Sequence, residues 1–246
     1  MNMHTEHENS LIIFTDGSSL GNPGPGGWGA LLAYPKLDEL IELGGTKLTT
    51  TNNEMELTAI VSALSYAVNS STHIHLYTDS QYAINGVTKW MYGWAHNGWK
   101  TKSGEDVKNK ELFQSLYSLI GDRGKDNITW HHVRGHVGVP ANERVDDIAR
   151  LLAEGTNVKM YRGKISEYPT PNILSLPSKA EQEAVAKKKK SSGKAYSYLA
   201  IVNGQFAEFD TWAECQQYVT GRQAKFKKAT SEEHRSEIMA EWGISE

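Results

Sequence analysis

The stretch Leu11-Ile12-Ile13-Phe14-Thr15-Asp16-Gly17-Ser18-Ser19-Leu20-Gly21-Asn22-Pro23-Gly24-Pro25-Gly26-Gly27-Trp28-Gly29-Ala30-Leu31-Leu32-Ala33-Tyr34 sets the architecture of the first part of the chain. Its apolar runs at 11–15 and 28–34 read as strands, and the Gly- and Pro-rich segment 17–27 between them reads as a turn. Residues 40–43 supply a third strand, so an antiparallel meander is expected. From Asn52 onward Leu57, Ile60, Val61, Leu64 and Val68 recur at helical spacing, and this helix is expected to stop near Asn69-Ser70-Ser71. The pattern then alternates: a strand at 73–78, helices starting at 80–87 and over 112–120, a strand at 128–133 and a last helix at 141–152. A meander followed by alternating strands and helices predicts an α/β (α+β) fold, a mixed five-stranded sheet with flanking helices.

The chain has 246 residues, 39% hydrophobic and 22% charged, enough for one large or two modest globular domains. No apolar run approaches the roughly 18 residues a bilayer crossing needs, and residues 1–10 are too polar for the core of a secretory signal. The lone cysteine, Cys215, excludes an internal disulfide and a four-cysteine zinc site. A cytoplasmic protein without membrane contact is expected.

Charge divides the chain further. Residues 1–155 hold 12 Lys and Arg against 18 Asp and Glu, residues 156–195 hold 9 against 3, and residues 196–246 hold 5 against 8. The basic middle, with Pro169, Pro171, Pro177, Lys187 to Lys190 and Ser191-Ser192-Gly193, reads as an extended linker without a core, either a spacer or a track for a phosphate backbone. From Tyr196 the hydrophobic pattern resumes. Strands at 198–202 and 206–209 flank Asn203-Gly204, a helix follows at 212–219, then a strand at 224–227 and a helix at 232–242, making a small C-terminal α/β domain over 196–246.

Four carboxylates stand where chemistry would use them: Asp16 after the first strand, Glu56 in the first helical turn, Asp79 after the fourth strand and Asp146 within the helix at 141–152. Singly, each has a plain structural reading. Asp16 begins a turn, Glu56 closes a capping box from Asn53, Asp79 caps the next helix, and Asp146 lies on the surface. Together they would form a dense negative charge that repels itself unless cations bind. Mg²⁺ meets that need, being a hard ion that takes carboxylate oxygens, and the absence of a Cys/His cluster argues against zinc. Two such ions about 4 Å apart would activate a water and stabilise the leaving oxygen of a phosphodiester.

These residues also carry a resemblance. Phe14-Thr15-Asp16-Gly17-Ser18, Gly21-Asn22-Pro23-Gly24-Pro25-Gly26-Gly27, Thr51-Asn52-Asn53-Glu54-Met55-Glu56-Leu57, Thr78-Asp79-Ser80-Gln81-Tyr82, and Gly135-His136 followed by Asn142-Glu143-Arg144-Val145-Asp146 resemble type I ribonuclease H in order and spacing. The match runs from about residue 11 to residue 153. It implies a catalytic domain over 1–155 that hydrolyses the RNA strand of RNA–DNA hybrids with two Mg²⁺ (or Mn²⁺) ions, leaving 5′-phosphate and 3′-hydroxyl ends. By the resemblance Asp16 bridges both ions, Glu56 and Asp79 hold one, and Asp146 holds the other. Glu54 and Asp147 do not match the catalytic positions and, at about 100° per helical residue, point away from them. His136 matches a mobile-loop histidine suited to proton transfer or product release. A zinc reading of His132 and His136 lacks its cysteines.

Recognition of a hybrid requires sensing the 2′-hydroxyl of one strand in the minor groove. The resemblance assigns this to Asn22, Asn52, Asn53 and Gln81, a DNA-strand channel to Trp90 and Trp94, and part of a DNA-phosphate pocket to Thr51 and Asn109. Each also has a turn, cap or core reading. Ala95-His96 and Thr49 replace basic residues of many family members, which predicts a weaker phosphate grip in the catalytic domain alone. Thr211-Trp212-Ala213-Glu214-Cys215, Val219 and Ala224-Lys225-Phe226-Lys227-Lys228 resemble the small hybrid-binding (viroplasmin-like) module, there usually N-terminal. That likeness implies a stacking surface at Trp212 and phosphate contacts at Lys227 and Lys228, whereas the residues alone read as core aromatics and exposed lysines. A monomer acting on RNA–DNA hybrid is expected. The alternatives are an inactive nuclease fold that only binds, and a transposase or integrase with a similar acidic cluster.

Overall fold

The computed structural model describes residues 7–133, 138–176 and 196–244. The chain divides into two compact units, Met1–Ser178 and Lys179–Glu246. Among the described residues no helix is long and apolar enough to cross a membrane.

In the first unit β1 (Leu11–Ser19), β2 (Gly24–Tyr34) and β3 (Glu39–Thr50) form the expected meander. α1 (Asn52–Tyr66) leads to β4 (Ile74–Thr78), which pairs parallel with β1. α2 (Gln81–Asn85), a wide turn of π-helix geometry over Gly86–Trp90 and α3 (Met91–His96) follow, then α4 (Lys110–Arg123) and β5 (Ile128–His132), parallel to β4. α5 (Pro140–Ala153) precedes β6 (Arg162–Lys164), antiparallel to β3. The strand order is β5-β4-β1-β2-β3-β6.

β1 is central, and its continuous apolar run is buried on both faces, as a strand covered on two sides requires. Leu11 and Ile13 join Leu57, Ile60, Leu64, Phe113 and Leu116 under α1 and α4. Ile12 and Phe14 join Leu31, Ala33, Ala141 and Val145 under α5.

Two expectations need correction here. The sheet has six strands, not five, and residues 156–176 do not form a coreless linker. β6 adds to the edge of the sheet, and Ile173 and Leu174, each 2% exposed, are buried in the cluster beneath α5. Apolar residues spread singly or in pairs among prolines and charges carry too little periodicity to show as an element, yet Ile173 and Leu174, with Tyr161, Ile165, Tyr168 and Leu176 packed beside them, join this core. Residues 177–195, the rest of the basic segment, lie outside the described residues.

The second unit is a sheet ordered β8-β7-β9, built from β7 (Ser197–Val202), β8 (Gln205–Phe209) and β9 (Ala224–Ala229). Asn203 and Gly204 both take positive φ, as a two-residue hairpin turn demands. α6 (Trp212–Val219) begins with a capping box between Thr211 and Glu214 and buries Cys215 and Val219 against Ala200 and Val202. α7 (Glu232–Glu241) buries Ile238 and Met239 against Leu199 and Ala229.

Candidate active site

The four acids are brought toward one another by strand register and by glycines. Thr15 of β1 pairs with Thr78 of β4, so Asp16 and Asp79 follow one residue further along adjacent parallel strands. Across the sheet Asp16 pairs with Gly29 of β2. A Cβ at Gly29 would lie 2.6 Å from the Val145 carbonyl oxygen, so the missing side chain lets α5 settle on β2 and carries Asp146 toward Asp16. Gly17 does the same for α1: a Cβ there would lie 2.2 Å from the Glu56 nitrogen and 2.3 Å from the Met55 carbonyl carbon. Glycine inside a strand marks such close backbone approach.

Two of the plain structural readings, a capping box from Asn53 and a cap by Asp79, give way to other caps. Thr51, not Asn53, caps α1 and accepts from the Glu54 nitrogen, so the cap leaves Glu56 to other partners. Ser80, not Asp79, caps α2 and accepts from the Ala83 nitrogen. The Ser80 hydroxyl also donates to Glu56 Oε2, and the Asn52 amide donates to Glu56 Oε1 at 3.0 Å. Glu54 is held by Lys47 and Thr50, and Asp147 by Arg150 at 2.9 Å.

Asp16 is 7% exposed, and its Oδ1 accepts from the Gly17 N–H at 2.7 Å. Burial first, then the charge of Asp79, with smaller contributions from Asp146 and Glu56, pushes its carboxyl up to about 8, against the pull of that hydrogen bond. Burial and Asp79 also raise Glu56 above the usual carboxylate range, although Ser80 and Asn52 oppose them. Among the described residues no three His, Cys, Asp or Glu side chains are gathered into a finished metal cage. Asp79, Asp146 and Glu56 all act on Asp16 through charge. All their donors are carboxylate oxygens around a buried acid whose ionisation its neighbours oppose, a set that fits a hard divalent cation.

The remaining expected residues lie on several elements of the two units. Asn22, Asn52, Asn53 and Gln81 are all exposed, at the β1–β2 loop and at the first turns of α1 and α2. Trp90 is 38% exposed, its ring centroid 5.6 Å from that of Trp94 and 6.1 Å from that of Tyr82, while Trp94 packs on Phe113. Asn109 takes positive φ at the start of α4 and donates to the Tyr82 hydroxyl at 3.2 Å instead of capping. His136 lies outside the described residues. In the second unit Trp212, 40% exposed, meets Tyr198 and Phe226 at centroid distances of 5.7 and 5.4 Å. The expected lysine pair is split. Lys228 pairs across from Tyr198 on the face of these aromatics, whereas Lys227 points to the other face and binds Glu241 at 2.6 Å, because side chains alternate along a strand.

Sequence reasoning missed Ser80 as a partner of Glu56, His132, whose Nε2 lies 3.2 Å from the Asp79 carbonyl oxygen, and the spacing role of Gly17 and Gly29. The glycines left a signal, standing inside runs that otherwise read as strand. Ser80 and His132 left none beyond adjacency to Asp79 and the fifth strand.

The RNase H family model matches residues 8–154. A ribonuclease H of Rhizobium meliloti (strain 1021) is 50% identical over 138 residues, 56% of this chain and 86% of that protein. One of Acidovorax sp. (strain JS42) is 50% identical over 146 residues, 59% of this chain and 96% of that protein. Among solved structures, a type 1 ribonuclease H described as carrying the type 2 active-site motif is 28% identical with a TM-score of 0.56, covering 70% of this chain and 90% of its own. The fold, the register that brings Asp16 beside Asp79 and these matches agree: the chain belongs to the ribonuclease H family and is a nuclease, a hydrolase of nucleic-acid strands.

Proposed function

We propose that this protein is an endonuclease that hydrolyses the RNA strand of RNA–DNA hybrids with two Mg²⁺ ions (Mn²⁺ substituting), leaving 5′-phosphate and 3′-hydroxyl ends. The observation that carries this reading is the approach of Asp79, Asp146 and Glu56 to the buried Asp16 through the register of β1 and the glycine contacts of β1 and β2. Asp16 would bridge the ions, Glu56 and Asp79 would hold one and Asp146 the other. When bound, such ions supply an activated water and neutralise charge at the leaving oxygen. Ser80 and Asn52 orient Glu56 by donating to both of its oxygens. Asn22, Asn52, Asn53 and Gln81 are exposed in the β1–β2 loop and in the first turns of α1 and α2, and their amides would suit ribose and minor-groove edges. Trp90, Trp94, Thr51 and Asn109 would face the DNA strand, and His136 would move a proton or assist product release.

A binding-only role is disfavoured, since a surface for phosphate gains nothing from four facing acids. The reading places the protein in the cytoplasm as a monomer. The test is incubation of the purified chain with labelled hybrid, double-stranded RNA and double-stranded DNA, with Mg²⁺ and with chelator. Cleavage confined to the RNA of the hybrid, and lost with chelator or in Asp16→Asn while hybrid binding persists, is expected. Undiminished turnover in Asp16→Asn would reject the assignment.

A further inference from the structure

One turn of α5 spans three strands. At about 100° per residue, Arg144, Val145 and Asp146 point in three directions. Val145 lies over Gly29 of β2, Arg144 reaches β3, and Asp146 faces Asp16 of β1. On β3 Arg144 meets Glu42, whose side chain is fully buried. The Arg144 Nε donates to Glu42 Oε1 at 2.7 Å and its Nη2 to Oε2 at 2.8 Å. Two further donors come from the segment after α5: the Tyr161 N–H at 2.9 Å and the Tyr168 hydroxyl at 2.5 Å. The same segment is fastened by β6, by Ser166 donating twice to Asp38, and by the burial of Ile173 and Leu174 beneath α5. Burial alone would raise the Glu42 carboxyl, but Arg144, Tyr168 and the Tyr161 backbone together hold it below its ordinary value, so the clamp is charged.

We propose that Tyr168, through Glu42 and Arg144, is a positioning residue for Asp146, and that the strap of residues 161–174 fixes the axial rotation of α5. A buried carboxylate with two competing donor sets gives Arg144 a single fork geometry only while Tyr168 occupies the second lone pair of Oε1. Without the hydroxyl, Glu42 is free to shift, α5 turns with Arg144, and Asp146 leaves its place beside Asp16. The inference rests on the metal-site reading of the four acids.

Tyr168→Phe keeps the ring packed against Tyr161, whose centroid is 4.8 Å away, and removes only the hydroxyl. The control is Tyr161→Phe, which removes the bond from the Tyr161 hydroxyl to the Lys164 carbonyl and leaves the backbone N–H on Glu42. For the full chain we expect Tyr168→Phe to weaken calorimetric Mn²⁺ binding about threefold to tenfold, below the usual 10–100-fold for a residue touching a ligand directly. It should lower kcat by a similar factor with KM for hybrid unchanged, while Tyr161→Phe changes neither. Parental Mn²⁺ affinity and kcat in Tyr168→Phe, or equal losses in both variants, would overturn the positioning role. Failure of the underlying reading shows separately, as Mn²⁺ binding that survives Asp16→Asn unchanged.

Discussion

The Asp16 carboxyl titrates near 8 rather than 3.8, so between those values the folded chain keeps a proton that the unfolded chain has released. Folding stability contributed by this group therefore falls as pH rises from 3.8 to 8 and is level beyond. Asp16→Asn removes the charge and keeps the shape. In chelator at pH 8 the variant is expected to be more stable than the parent by about 0.5–3 kcal/mol, the usual span of a single substitution, and the difference should vanish near pH 3.5. Urea unfolding at the two pH values measures it, and a variant less stable at both would show that Asp16 is not crowded by like charge. Adding Mg²⁺ should raise the midpoint of the parent and leave that of the variant in place, since only the parent retains all four acids. At this scale the sequence was informative about identity and not about partners. Asp16, Glu56, Asp79 and Asp146 are legible from their places on the strands and helices and from the motifs they stand in, while Glu54 and Asp147 fall outside the matching positions and, by helix angle, point away. The structure supplies the reason, in that Lys47 and Arg150 hold them elsewhere.

Elements approach one another only where the backbone lets them. Gly17→Ala would place a methyl 2.2 Å from the Glu56 nitrogen, a backbone atom that cannot swing away, so α1 must move from β1. A loss of about 1–3 kcal/mol is expected from such overpacking, together with a fall in cleavage greater than the stability loss explains, because Glu56 moves with the helix. Cleavage measured well below the melting temperature separates the two effects, and parental activity would show that the contact does not set Glu56. The strands and helices themselves were legible because apolar periodicity is local. Three-residue β6 was not, since its formation depends on the open edge of β3 and not on its own composition. A second device is equally invisible in sequence. His7 stacks on His75 at 3.8 Å, His73 lies 4.9 Å away, and His75 Nδ1 meets His131 Nε2 at 3.0 Å, gathering histidines from the N-terminal segment, β4 and β5. Burial, then the charges of His7, His131 and His73, hold His75 down to about 4. The unfolded imidazole takes a proton below its ordinary 6.5 and the folded one resists until about 4, so this contribution is intact above pH 6.5 and lost as pH falls through that window. His75→Gln should lose less stability than the parent between pH 7 and pH 5 in thermal melts. Equal losses would remove His75 as the sensor.

For the molecule as a whole, where the first unit ends decides which contacts it keeps. Cutting at 155, where composition changes, would strip Tyr161, Tyr168, Ile173 and Leu174 from the first unit, whereas a chain ending at 176 keeps them. The shorter fragment is therefore expected to melt at a lower temperature than the longer one, and equal melting would show that the strap contributes nothing. The second unit raises a separate question, why a nuclease with Thr49 and Ala95-His96 in place of cations should hold a polyanion. If the second unit binds hybrid, as its likeness to the hybrid-binding module implies, its exposed aromatics would offer stacking that salt does not screen and would raise the local concentration of substrate. Deleting 196–246 should leave hydrolysis intact and weaken hybrid binding, most clearly at high salt. The split of the lysines sharpens this expectation. Lys228, on the face of Trp212, Tyr198 and Phe226, should weaken binding on Lys228→Ala and reduce the salt slope by about one. Lys227, engaged with Glu241 on the opposite face, should change neither on Lys227→Ala. Fluorescence anisotropy with labelled hybrid at two salt concentrations distinguishes the two lysines, and equal effects would place the binding face elsewhere.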